Sequence, residues 1–200
     1  MSASTSTPAS WPTRALHAMW RFGRAHAQDS EAQLIAAARR GNREALSALY
    51  RRHAGAAFSL ALRLCGDPDQ GQDLVQDAFL RAFDRLDRYR GDAPFGAWLR
   101  RILTNLAADR ARSDWRWVHD GEVIDALSAG EGAGPGGQID ALGLLSRLAP
   151  AARMVMVMYE YEGYSHAEIA GLLGRTEVWS KTTLSRARAR LAGWLEGEGA

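Results

Sequence analysis

The sequence predicts an all-α fold: two small helical domains joined by a flexible linker. Three observations predict it. Apolar residues recur at helical spacing through both halves of the chain. No segment shows sustained strand alternation bounded by turns. The run MVMVM (154–158) is ambiguous by itself, and its helical neighbours decide it. Between the two patterned halves lies SAGEGAGPGGQ (128–138), a Gly-rich stretch with the composition of a flexible linker.

Residues 1–28 open Ser/Thr/Pro-rich and contain three Arg and no acid. They are expected to form a disordered extension. Their composition superficially resembles an organellar transit peptide, without a signal peptide's apolar core. Trp11, Leu16, Met19, Trp20 and Phe22 leave a short docking helix as the alternative.

Helical patterning begins near Ser30, with Leu34, Ile35 and Ala38 as a buried stripe. Gly41 is a stop and Asn42 a cap for the next helix. That helix runs to about Cys65, with Leu46, Leu49, Tyr50, Phe58, Leu62 and Leu64 for its core. Gly66-Asp67-Pro68 breaks the chain. Asp67 as cap, Pro68 at the first helical position and Gln70 three residues after the cap restart it.

Asp73 to Arg112 reads as two amphipathic helices joined by a polar loop. Val75, Phe79, Ala82, Phe83 and Leu86 form the apolar face of the first. Asp73, Gln76, Asp77 and Asp84 lie opposite. The loop runs from Asp87 to Ala93, with Gly91 where the first helix should stop. Asp92 is expected to cap the second helix, and Pro94 suits its first turn. Phe95, Leu99, Ile102, Leu103 and Leu106 face inward there. Arg100, Arg101, Arg110 and Arg112 are left for solvent or phosphate.

The helical pattern resumes near Ile139, where Leu142, Leu145, Leu148, Met154, Val155, Met158 and Tyr159 supply a second, smaller core. Tyr164 to Leu195 then reads as a helix-turn-helix. Ser165 and Glu168 have capping-box spacing, and Tyr164 and Ile169 can form the hydrophobic staple. Gly174 ends the first helix, and Arg175-Thr176-Glu177 make the turn. The second helix offers Val178, Trp179, Leu184, Ala187 and Leu191 inward. Lys181, Thr182, Ser185, Arg186, Arg188 and Arg190 are left outside. Such a helix can enter the DNA major groove. Its Arg and Lys suit guanine and phosphate, and its Ser and Thr suit either.

Net charge is only +2, unevenly spread. Residues 119–140 hold five acids and no Lys or Arg. A modest excess of Arg on helices is compatible with nucleic acid but is weak evidence alone. Cys65 is the only cysteine, which precludes an intramolecular disulfide and suits a reducing cytoplasm. Its apolar helix points to a structural thiol more than a redox switch. The five His are scattered, so no metal-ligand cluster is expected, and no cofactor. No apolar run is long enough to span a membrane. No nucleophile–base pair or phosphate loop is visible, so no catalytic residue is expected.

DLVQDAFLRAF and RYRGDAPFGAWLRRILTNLAADRAR resemble region 2 of the extracytoplasmic-function sigma factors of bacterial RNA polymerase. The helix-turn-helix is similar to their region 4, whose second helix carries G-T-V-K-S-R-L-x-R-A-R. Lys181, Leu184, Arg186, Ala187 and Arg188 keep that pattern. Thr183 stands for its first Arg, and Val178-Trp179 for its Gly-Thr entry.

The resemblance implies residues 29–118 as region 2, 119–138 as an acidic Gly-rich linker and 139–196 as region 4. It implies an alternative sigma factor that binds core RNA polymerase, recognises −10 and −35 promoter elements, melts the −10 region and directs initiation. The 87–93 loop, with Arg88, Tyr89, Arg90 and Asp92, would take an extruded base, and Trp98, Arg101 and Asn105 would follow the strand. For Tyr89 the alternative is covering the loop, and for Trp98 packing on the neighbouring helix. Asp73, Gln76, Asp77 and Asp84 would dock on the clamp helices of the largest polymerase subunit, with the flap as a further polymerase contact. Lys181, Thr182, Ser185, Arg186 and Arg188 would read the −35 element. The acidic linker would either stand in for transcript phosphates near the RNA exit path or act as a solvated spacer. An anti-sigma factor is the implied regulator. The rival reading is a stand-alone helix-turn-helix regulator whose N-terminal helices dimerise or sense.

Overall fold

The computed structural model describes residues 31–114 and 141–197. The expected disordered extension (1–28) and the linker (119–138) lie outside the described residues. Every regular element among the described residues is helical.

Helix α1 is Glu31–Arg39 and buries Leu34, Ile35 and Ala38. A turn through Gly41 leads to α2, Arg43–Cys65. The Asn42 side chain accepts from the amides of Glu44 (2.9 Å) and Ala45 (3.0 Å), satisfying two otherwise unpaired donors of the first turn. Gly66 closes α2 in the left-handed region (φ 70°), its N–H donating to the Leu62 carbonyl. Helix α3, Pro68–Asp84, starts on Asp67, whose carboxylate accepts from the Gln70 amide at 2.8 Å. It stops earlier than Gly91, and a 3-10 turn over Leu86–Arg88 follows.

Helix α4 is Phe95–Asp114. The Pro94 carbonyl accepts from Ala97 and Trp98, so Pro94 holds the cap position. Asp92 lies two residues too early to cap, which corrects the sequence expectation. The core between α1 and α4 is built on Leu49, Leu64, Leu74, Phe79, Phe95, Leu99 and Leu103.

The second unit starts with α5 (Ala141–Ser146) and α6 (Pro150–Met156). Helix α6 runs into a π-turn over Val157–Tyr161, so the MVMVM segment is helical and buried. Helix α7 is His166–Leu173, and α8 is Glu177–Gly197. The capping box at Ser165 and Glu168 is formed reciprocally, and Gly174 ends α7 with φ 65°. Thr176 Oγ1 accepts from the Trp179 amide at 3.1 Å at the start of α8. Leu142 was expected inside and is 40% exposed, because the short α5 turns Leu144 and Leu145 to the core instead.

The second core does not stand apart from the first. Helix α2 packs on α5 and α6, and α4 packs on α7. One apolar cluster runs from Leu34 through Phe79 and Phe95 to Val155, Ile169 and Leu184.

Candidate nucleic-acid interface

The 85–94 segment is held from two sides. Arg39, at the end of α1, donates through Nε to the Leu86 carbonyl (3.2 Å) and through Nη2 to the Tyr89 carbonyl. The Tyr89 hydroxyl donates to the Ala93 carbonyl at 2.7 Å. Arg39 carried no sequence signal, since its partners are backbone carbonyls distant in the chain.

Tyr89 is 8% exposed, and its ring meets Phe95 and Trp98 at centroid distances of 5.8 and 5.2 Å. The ring therefore packs against its neighbours at the base of α4. Arg88, Arg90 and Asp92 are exposed around it. Trp98 is half-buried in the same aromatic group, one turn into α4.

Along α4, Leu99 and Leu103 are buried, while Arg100 and Arg101 are exposed and Asn105 is half-buried. Helical geometry puts Trp98, Arg101 and Asn105 on one stripe, three and four residues apart. A cleft beside Arg101 is lined by Ala97, Arg100, Arg101, Glu162, Gly163, Tyr164 and Glu168.

On α3, Asp73, Asp77 and Asp84 are exposed and Gln76 is half-buried. Asp77 is not free: Arg110 of α4 reaches its carboxylate at 2.6 Å. Arg112, left for solvent or phosphate by the sequence reading, pairs with Asp109.

On α8, Lys181, Thr182, Ser185, Arg186 and Arg188 are all exposed. Ser180, Thr183, Leu184 and Ala187 are buried beneath them. Thr183, at the position of the family's first Arg, therefore faces the core. Val178 was expected inward and is 71% exposed, because it sits in the first turn, ahead of the packed face. Trp179 is half-buried, with Arg175 over its ring at 5.8 Å. Lys181 pairs with Glu177 at 3.4 Å, and Arg188 with Glu160. His166 Nδ1 lies 3.0 Å from the Ser180 hydroxyl and its ring stacks on Tyr159, tying α7 to α8 and the π-turn.

The arrangement offers two outward basic strips, on α4 and α8, and an acidic strip on α3. Such strips can track phosphates and place side chains at base edges. Among the described residues no group of His, Cys, Asp and Glu could hold a metal ion. No described helix is long and apolar enough to cross a membrane.

Comparison with known proteins agrees with this division. The Sigma-70 region 2 family matches residues 49–116, and the Sigma-70, region 4 family matches residues 139–191. The ECF RNA polymerase sigma factor SigM of Mycobacterium tuberculosis is 34% identical over 173 residues, covering 86% of this chain and 87% of that protein. The RNA polymerase sigma factor CnrH of Cupriavidus metallidurans is 33% identical, covering 86% of this chain and 97% of its own. A probable RNA polymerase sigma factor RfaY of Xanthomonas campestris pv. campestris is 35% identical over 66% of this chain, which spans only 35% of that protein. Among solved structures, the sigma factor RpoE of Bartonella quintana in complex with the anti-sigma factor NepR matches at 26% identity. It covers 74% of this chain and 94% of its own, with a TM-score of 0.48. The chain belongs to the extracytoplasmic-function group of the sigma-70 family. The matches to both regions support that reading and leave the stand-alone regulator without support.

Proposed function

We propose that the chain recruits core RNA polymerase to a limited set of promoters in the cytoplasm and leaves the chemistry to the polymerase. The observation that supports this best is the disposition of α4 and α8. Each buries its apolar face and turns its Arg and Lys residues outward, on the two segments that match regions 2 and 4.

In this reading α8 enters the major groove of the −35 element through Lys181, Thr182, Ser185, Arg186 and Arg188. At the −10 element the loop and α4 capture one strand after melting. Unstacking costs a few kcal/mol per step. The cost is offset when an extruded base settles among Arg88, Arg90 and Asp92 and the strand lies along Trp98, Arg101 and Asn105. Tyr89 shapes the loop from below. Asp73, Gln76, Asp77 and Asp84 dock on the polymerase clamp, the second unit meets the flap, and an anti-sigma factor restrains the chain by covering these faces.

The test is run-off transcription with purified bacterial core polymerase on the DNA upstream of this chain's own gene. A discrete transcript that requires the protein is expected. Asp73→Arg with Asp84→Arg should abolish both it and core binding in a pull-down. Neither transcript nor core binding with the unaltered chain would refute the proposal.

A further inference from the structure

Among the described residues Val178 is the most exposed large hydrophobic side chain, at 71%. It stands in the first turn of α8, directly after Glu177. A β-branched residue on an open helix face is worse for the helix than Ala, so its exposure contributes nothing to the fold.

The turns around it set its direction. Ser180, Thr183, Leu184 and Ala187 are buried and define the inner face of α8. Val178, Lys181, Thr182 and Ser185 stand at i, i+3, i+4 and i+7, and all four are exposed. That spacing is one face of a helix. Val178 therefore continues the polar strip of α8 to its N-terminal end. In a helix-turn-helix the N-terminal residues of the second helix are the ones that contact base edges. This end of α8 is also held in place. Thr176 Oγ1 accepts from the Trp179 amide at 3.1 Å, and the Ser180 hydroxyl lies 3.0 Å from His166 Nδ1 of α7. The Arg175 guanidinium lies over the Trp179 ring at 5.8 Å. The turn that carries Val178 is pinned on both sides of it.

An isopropyl group in the major groove neither donates nor accepts. Guanine shows two acceptors there, cytosine an amino donor, and adenine one of each; thymine alone adds a C5-methyl group. Against the first three, Val178 strips water from a polar edge and returns no hydrogen bond, which is unfavourable. Against thymine it buries apolar surface on apolar surface.

We propose that Val178 reads a thymine of the −35 element through its C5-methyl, beside the contacts of Lys181 and Thr182. The inference rests on the −35 role given to α8 above and adds a selected base to it. The family pattern carries Gly at this position, which has no side chain to place there. The preference therefore separates this chain from relatives that keep the pattern.

The experiment starts with the full chain, alone and with core polymerase, selecting sites from a library of randomised duplexes. Each thymine of the enriched site is then replaced by deoxyuridine, which removes the C5-methyl and keeps the pairing. Binding is read by fluorescence anisotropy on labelled duplexes. At one thymine the replacement is expected to weaken binding about fourfold, the size set by one buried methyl group. In Val178→Ala that loss should largely disappear at this thymine and persist unchanged at any other. Alanine suits an exposed helix position, so folding is not at issue. No enriched site, a site without thymine, or a uracil penalty equal in both chains at every thymine would overturn the proposal. An equal penalty together with weaker core binding by Val178→Ala would assign the side chain to a polymerase contact instead. The sigma reading is tested separately, by the run-off transcript and the core pull-down. Their failure with the uracil coupling intact would remove that reading and keep the base contact.

Discussion

Gly66 and Arg153 illustrate how much rests on single side chains. Gly66 has φ +70°, and a Cβ there would lie 2.5 Å from the Arg153 Cζ. Gly66→Ala should cost about 1–2 kcal/mol for the left-handed backbone alone, and more because the guanidinium must move. In an Arg153→Met background only the backbone part should remain. A double-mutant cycle in urea reads the difference directly, and strictly additive costs would remove Arg153 from its place over Gly66. Tyr89→Phe is a second case. It removes the hydroxyl that donates to Ala93 and should cost about 1 kcal/mol in the same denaturation assay. Neither Arg153 nor Arg39 was legible in the sequence. Arg153 donates to the Leu64 and Cys65 carbonyls and Arg39 to those of Leu86 and Tyr89, all far along the chain, and a carbonyl leaves no mark on residue type.

The start of α7 was legible, because a capping box needs a fixed spacing of two side chains. Ser165→Ala should destabilise the chain by about 1 kcal/mol. The pH dependence has a defined sign. Hydrogen bonds from the Ser165 amide and hydroxyl, with Arg101 nearby, hold the Glu168 carboxyl below its ordinary value. A depressed carboxylate adds stability above the unfolded-state pKa and loses it as pH falls through the folded one. The unaltered chain should therefore lose more stability on acidification than Glu168→Gln. Urea denaturation at neutral pH and in the acid range compares the two, and parallel losses would refute the assignment. Helix α4 shows the opposite outcome. An acid two residues before a Pro imitates a cap, but the chain starts the helix from the Pro94 carbonyl. Val178 marks the same limit: period alone does not say where along a helix the packing begins.

At the scale of the molecule, net charge is +2, so DNA binding rests on where the arginines lie. Each phosphate contact to a single strand steepens the logarithmic salt dependence by about 0.7. Removing Arg101 should flatten the slope by about that amount in anisotropy titrations over a range of NaCl. An unchanged slope would take Arg101 off the path of the strand.

The amino-acid order by itself determined the helical class, the breaks at Gly41, Gly66 and Gly174, the caps at Asn42, Asp67 and Ser165, and the exposed polar face of α8. All of these follow from residues a few positions apart, where period, cap and turn chemistry are written side by side. Only the tertiary structure decided that Tyr89 is buried against Phe95 and Trp98, that Arg110 pairs with Asp77, and that two expected cores are one. It alone brought Glu162 to Arg100 and Arg153 to the end of α2. Those contacts join positions that share no pattern in the chain, and burial, carbonyl geometry and the meeting of charges create them only once the helices have packed.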